Sequence, residues 1–211
     1  SPDRRVGFLT FNGALGAHNH FQRNVDIRLP AFDTHQCGVY CGIPHLGNTK
    51  RQLPAARIIL RRYSPWNGAN MTSISASAHT HLPRSLRSRR RYRLFWAGRA
   101  TKHGARGDLF KHHANRSDFL LVDTSGRFPP TATAAALEGS GVIRQSDPHF
   151  LAWAMAHSDF CLSPLGQSDG DSDRYLPALL YGCIPVFASK GEVPPFDELL
   201  QWSSFSISLP D

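Results

Sequence analysis

No apolar stretch in this 211-residue chain approaches the length of about eighteen that a membrane-spanning helix needs. A basic segment followed by a hydrophobic one, the mark of a secretory signal, is also missing, and the chain opens on Ser1 rather than Met. Any membrane anchor would therefore lie upstream of these residues. Cysteine is sparse, at Cys37, Cys41, Cys161 and Cys183, and no paired C-x-x-C spacing occurs, which argues against a zinc site. Cys37 and Cys41 stand beside Gly38 and Gly42, and in an oxidising lumen they can bridge to each other or elsewhere. Cys161 and Cys183 fall on or beside neighbouring strands, where burial as small apolar thiols is the expectation. The histidines offer no metal site either. His79 and His81 are two apart and His112 and His113 are adjacent, so neither pair has the i, i+4 spacing or a third ligand nearby. They read as surface residues.

Acidic residues are in deficit, 16 against 24 Lys and Arg, for a net charge of +8. The excess is uneven. Arg84, Arg87, Arg89, Arg90, Arg91 and Arg93 crowd together between short apolar segments. Such a run suits a polyanion, an acidic glycan or simply solvent. It lacks the aromatic series of a base-stacking platform and has no RNA- or DNA-binding motif beside it, so no nucleic-acid partner is expected. A solvated linker between domains is the preferred reading.

Hydrophobic residues make up 41% of the chain, enough for a sizeable core. Three parts differ in texture. Residues 1–63 hold short apolar pieces broken by Gly, Asn and Pro, with strands expected at Val6–Phe11, Asp26–Leu29 and Leu53–Tyr63. Residues 64–91 are rich in Ser, Asn, His and Arg and read as a flexible basic linker. Residues 92–211 alternate strand and helix signals. Strands are expected at Leu94–Ala97, Phe119–Val122, Phe160–Leu162, Ile184–Phe187 and Phe205–Leu209. Helices are expected at Asp108–His113, Thr131–Glu138, Pro148–His157, a short segment from Arg174, and Pro195–Leu200. This alternation predicts an α/β fold, a Rossmann-like doubly wound parallel sheet. No internal repeat is visible.

The most informative segment is Ser158–Phe187. Two apolar runs flank a loop of Gly, Ser and Asp and a short helix. In open α/β sheets such a loop faces the ligand at the carboxyl end of the strands. A helix start carrying Arg174 there suits an anion, most simply a diphosphate.

The words SDFCLSPLG, SDR and GCIPVF, followed by PPFDELLQWSSFSISL, resemble the C-terminal signature of exostosin-like glycosyltransferases. Upstream, VDIRLPAF (Val25–Phe32) resembles that family's D-V-x-x-P element. RYRLFWAGR (Arg91–Arg99) resembles its R-x-x-L-x-F-x-G element, and Arg106 falls near the Arg that follows it. The resemblance spans Asp26 to Leu209 and implies a GT-B fold, of which residues 92–211 would be the nucleotide-sugar-binding domain and residues 1–63 part of the acceptor-side domain. By this reading the chain is a fragment, truncated at its C-terminus. The implied reaction is inverting transfer of a sugar from a UDP-sugar to a glycan or glycoprotein. No cofactor is implied, because the nucleotide sugar is a substrate and GT-B enzymes commonly work without a metal. The implied location is the Golgi lumen, through an anchor that this chain does not contain.

Candidate donor-binding residues follow. Arg174 can grip two phosphate oxygens with its forked guanidinium. Ser172 and Asp173 can cap the helix that it opens. Gly166 and Ser168, with Gly170, let the loop backbone approach the donor. Arg99, Lys102 and Arg106 surround the turn after the Leu94–Ala97 strand, and Arg106 is the preferred partner for the leaving UDP. Asp171-Ser172-Asp173 spells D-x-D, a metal motif in another transferase class, but its place before a helix favours capping over a metal. Gly182 is expected to end the helix. The catalytic base stays unassigned; His18, His20 and Asp26 are the only candidates with motif context. One departure stands out. The family commonly has Glu three residues after the Arg, where the resemblance implies that it holds the ribose, and here Pro177 offers neither acceptor nor backbone donor. The alternative reading is therefore an inactive exostosin-like fragment or a glycan- or polyanion-binding protein.

Overall fold

Five strands, all parallel, form the central sheet of this computed structural model. Residues 9–10, 27–28, 61–65, 90–139, 148–164, 174–188 and 193–209 are described. Two short strands, β1 (Leu9–Thr10) and β2 (Ile27–Arg28), pair in parallel as a separate ribbon. The main sheet is built from β3 (Tyr92–Gly98), β4 (Phe119–Asp123), β5 (Ser158–Ser163), β6 (Ile184–Phe187) and β7 (Ile207–Ser208), in the order β4-β3-β5-β6-β7. Helices α1 (Ala105–His113), α2 (Ala132–Gly139), α3 (Pro148–Ala156) and α4 (Tyr175–Leu180) make the connections.

The near-continuous apolar strands explain why both faces are covered. Phe95 and Ala97 of β3, with Leu120 and Val122 of β4, pack on one face against Ala134 of α2, Phe150, Ala152 and Ala154 of α3, and Tyr181 beyond α4. Trp96, Leu121, Leu162 and Val186 point the other way and meet Leu109 and Phe110 of α1. This alternation is the period of two of a β-strand, with helices on each side. The expected α/β, doubly wound architecture is the one found. A third cluster of Tyr175, Phe187 and Trp202 closes the β7 side, with Trp202 Nε1 donating to the Pro195 carbonyl at 2.8 Å.

Several boundaries moved for identifiable reasons. The α1 helix starts one turn earlier than Asp108, at Ala105, after Gly104 turns the chain with φ 77°. The α3 helix buries Ala152 and Ala154 completely, while Leu151 and Trp153 are only half-buried, because small residues let it lie close to the sheet. Residues 61–63 are helical, against the strand expected to end at Tyr63. Pro195–Leu200 is a series of turns and not a helix: Phe196 sits at φ 56°, outside helical geometry, and its carbonyl accepts from both Leu199 and Leu200. A 3₁₀ turn over Trp202–Ser204 follows. Gly182, at φ 74°, does end the α4 segment in the left-handed conformation that glycine accommodates.

Two expectations about side chains are corrected. Arg90 is not solvated. Its side chain is 7% exposed and brackets the amino-terminal edge of the sheet, donating to the Ser158 carbonyl at 2.8 Å, the Asp159 carbonyl at 3.2 Å and the Gly182 carbonyl. Nor are Cys161 and Cys183 free thiols. They form a disulfide with a Cα–Cα separation of 5.8 Å. Adjacent parallel strands β5 and β6 bring the two sites together, a proximity that burial of each cysteine alone does not reveal. Cys37 and Cys41 lie outside the described residues.

The disulfide closes a segment with a sequence separation of 22, which contains the loop after β5 and all of α4. On chain-entropy arithmetic a loop of that size contributes about 3 kcal/mol. Replacing both cysteines with alanine should lower unfolding stability by about that amount, read from urea midpoints of the oxidised wild type and the double variant. Equal midpoints would refute the stabilising role.

Candidate functional site

The chain leaves β3 for β4 on one side and returns to β5 on the other. Strand order therefore reverses at the β3/β5 pair, where Leu94 faces Phe160 and Phe95 faces Cys161. Because the two strands are parallel, the chain leaves both of them at the same edge. Such a reversal leaves a crevice between the departing connections, the usual ligand position in open α/β sheets. The loop after β3 leads through Arg99 and Lys102 into α1 and Arg106. After β5 the next described residue beyond 164 is Arg174, which immediately precedes α4.

Arg174 and Arg106 converge there. Burial and the Arg106 charge together pull the Arg174 guanidinium down to about 10, so it stays protonated at neutral pH. Burial also lowers Arg106, whose Nη1 reaches back to the Arg99 carbonyl at 3.5 Å. Among the described residues no carboxylate pairs with Arg174. Two half-buried like charges within electrostatic reach of each other can be offset by an anion beside them, since a dianion relieves both repulsion and desolvation. Arg99 and Lys102 are exposed on the approach.

Arg174 reaches this position over Gly98, the last residue of β3. A Cβ at Gly98 would lie 2.9 Å from Arg174 Nη2 and 3.1 Å from Trp96 Cζ2. Glycine thus leaves the room that the Arg174 guanidinium occupies, and an added methyl would have to push that side chain aside. Trp96 Nε1 is buried beside it with no hydrogen-bond partner among the described residues.

Asp123, at the carboxyl end of β4, was not singled out by the sequence. Its Oδ1 accepts from the Ala100 amide at 2.9 Å, the Ser125 amide at 2.9 Å and the Ser125 hydroxyl at 2.6 Å. Its Oδ2 accepts from the Arg127 and Phe128 amides at 2.8 and 2.9 Å. Burial pushes the carboxyl up, but these bonds outweigh it and bring the group to about 2. An acceptor so saturated is not a general base. It ties the turn after β3, which carries Arg99 and Lys102, to the turn after β4. The signal was present in Asp123-Thr124-Ser125-Gly126, an Asp-initiated turn whose Gly126 has φ 68°.

Gly166, Ser168, Ser172 and Asp173 lie outside the described residues, as do Asp171, His18, His20 and Asp26. The N-cap position of α4 is Arg174 itself, and its side chain makes no capping bond. Pro177 is buried in the first turn of α4, where a helix needs no N–H from it, and its carbonyl accepts from the Tyr181 amide at 3.0 Å.

Residues 45–211 match the Exostosin GT47 domain. A probable glycosyltransferase of Arabidopsis thaliana is 45% identical over 53 residues, 25% of this chain and 10% of that protein. Exostosin-1 of Drosophila melanogaster is 32% identical over 122 residues, 56% of this chain and 16% of that protein. A probable glucuronosyltransferase of Oryza sativa subsp. japonica is 40% identical over 57 residues, 27% of this chain and 13% of that protein. The match thus spans only a small part of each relative's length.

Asp123 gives a pH signature. Its folded value of about 2 lies below the ordinary 3.8. Its contribution is therefore present above the unfolded value and lost as pH falls through the folded one, and it amounts to roughly 2 kcal/mol. Asp123→Asn should lower stability by about 2 kcal/mol at neutral pH, with the difference from wild type shrinking towards about pH 2. Urea titrations of both proteins across that range read it directly. A difference that does not change with pH would show that ionisation of Asp123 is not its origin.

Proposed function

The chain belongs to the exostosin GT47 family, and on that premise we propose that it is the donor-binding part of a glycosyltransferase. The donor is a nucleotide sugar, a UDP-sugar by family resemblance, and the acceptor is a glycan or glycoprotein. The observation that carries this reading is the convergence of Arg174 and Arg106 at the strand-order reversal, with no carboxylate paired to Arg174 among the described residues.

The proposed mechanism follows from charge. An acceptor hydroxyl attacks the anomeric carbon from the face opposite the leaving group. The bond from that carbon to the diphosphate oxygen breaks, and the hydroxyl proton passes to a base. Negative charge builds on the departing diphosphate. Two guanidinium groups already in place favour that charge without reorganising, the usual source of transition-state stabilisation for such leaving groups. Pro177 removes one acceptor for the ribose, so its hydroxyls must be held by other groups in the cleft.

We place the protein in the Golgi lumen. The buried Cys161–Cys183 disulfide supports an oxidising compartment. Among the described residues no helix is long and apolar enough to cross a membrane. Domain organisation is proposed as residues 92–211 for donor binding, preceded by a basic segment at 64–91 and a part of the acceptor-side domain at 1–63.

Calorimetric titration of UDP into the chain tests the donor site. Arg174→Ala should weaken binding about 10- to 100-fold, the loss of a charge-assisted pair worth about 1.5–3 kcal/mol. Gly98→Ala should also weaken it, although it removes no charge, because the new methyl displaces the Arg174 side chain. A folded wild type that ignores UDP but holds an acidic polysaccharide with steep salt dependence would replace this proposal with the polyanion-binding one. Equal affinities for wild type and Gly98→Ala would break the link between Gly98 and Arg174.

A further inference from the structure

We propose that Asn115 carries an N-linked glycan on the mature protein. Asn115, Arg116 and Ser117 spell N-x-S with a non-proline centre, the acceptor sequence for asparagine-linked glycosylation. Such triplets also arise by chance, and three observations distinguish this one.

The triplet is accessible. Asn115, Arg116 and Ser117 are all exposed in the turn between α1 and β4. No hydrogen bond among the described residues engages the Asn115 amide group or the Ser117 hydroxyl. The triplet's backbone is used instead: the Arg116 amide donates to the His113 carbonyl at 3.1 Å, the Arg116 carbonyl accepts from the Phe119 amide at 3.4 Å, and the Ser117 carbonyl accepts from the Thr133 hydroxyl at 3.5 Å. Arg116 is occupied elsewhere: Nε and Nη2 donate to the two Asp118 oxygens at 2.8 and 2.7 Å, and the guanidinium lies 4.6 Å from the Phe119 ring centre. The backbone of the triplet therefore sits on a fixed turn while its two reacting side chains point to no internal partner.

The compartment fits. The Cys161–Cys183 disulfide is buried in the core, at 2% and 1% exposure, and such bonds form and persist in the lumen where asparagine glycans are attached. This support does not depend on the chain being a transferase.

The position leaves the cleft open. The α1 helix starts at the carboxyl end of β3 and returns the chain to the start of the parallel strand β4. Asn115 follows it, at the amino-terminal edge of the sheet. Arg106 and Arg174 lie at the other edge. A large hydrophilic group at Asn115 covers polar surface near His112 and Arg116 and does not obstruct the crevice.

In the attachment step the Asn115 amide nitrogen attacks the first sugar carbon of a lipid-diphosphate-linked oligosaccharide. The nitrogen–carbon bond forms, the bond from that carbon to the diphosphate oxygen breaks, and the lipid diphosphate leaves as the anion. The amide proton passes to a base of the cell's oligosaccharide-transferring enzyme.

The test directs the full chain behind a secretory signal into the lumen of eukaryotic cells and analyses the total lumenal pool. A second triplet, Asn70-Met71-Thr72, lies outside the described residues, so the work is done in an Asn70→Gln background. Peptide N-glycosidase in heavy-oxygen water converts each glycosylated Asn to labelled Asp, which mass spectrometry locates. One glycosidase-sensitive mobility step and label at Asn115 are expected. Asn115→Gln and Ser117→Ala should each abolish both, whereas Ser117→Thr should keep both. Unlabelled Asn115 in this pool would overturn the proposal, and so would a glycosidase-sensitive step that survives Asn115→Gln.

Discussion

Parallel pairing of β3 with β5 is the constraint from which the rest of this structure follows. Leu94 opposite Phe160 and Phe95 opposite Cys161 place two apolar strands side by side with the same direction. The connection through β4 must then depart on one side and come back on the other. Two consequences arise at once. Both faces of the pair need covering, which α1 supplies on one side and α2, α3 and α4 on the other. And the loops after β3 and β5 must emerge together, which brings Arg106 and Arg174 within electrostatic reach although they are far apart in the chain.

The edges of that sheet are held by different physics. At the amino-terminal edge Arg90 satisfies carbonyls of β5 and of the turn before β6, a cation buried against backbone dipoles and near the Asp159 carboxylate at 3.6 Å. At the carboxyl edge the sign is inverted. Asp123 gathers five donors from two turns, while Arg106 of α1 and Arg174, which precedes α4, lie within electrostatic reach of each other. The carboxylate there is consumed by structure, and among the described residues no carboxylate pairs with Arg174. The disulfide adds a covalent tie at the base of the segment that presents Arg174.

Much of the fold was legible because strand and helix periods are local. The runs around Leu94–Ala97, Phe119–Val122, Phe160–Leu162 and Ile184–Phe187 became strands of nearly the expected extent. Pro195–Leu200 was not legible as turns: Phe196 takes a left-handed φ of 56°, and the preceding Pro195 carbonyl is tied to Trp202, which docks onto Tyr175 and Phe187 from outside that window. Arg174 and Arg106 were visible as candidates through motif spacing. The hub at Asp123 and the close approach of Arg174 to Gly98 were not, because each arises from an approach between segments that the sequence keeps apart.

What the sequence by itself determined is the alternation of apolar strands and helices, the family signature, and the cationic residues available at strand ends. These are properties of short windows, set by side-chain period and residue type. What only the tertiary structure decided is which of those residues meet. Arg90 turned inward while its neighbour Arg91 stayed exposed, and Cys161 and Cys183 joined in a disulfide. Arg174 came to rest over a glycine and within electrostatic reach of Arg106. Such pairings depend on strand order and on the direction of each strand, which are set by burying both faces of one sheet and cannot be read from any single window of the chain.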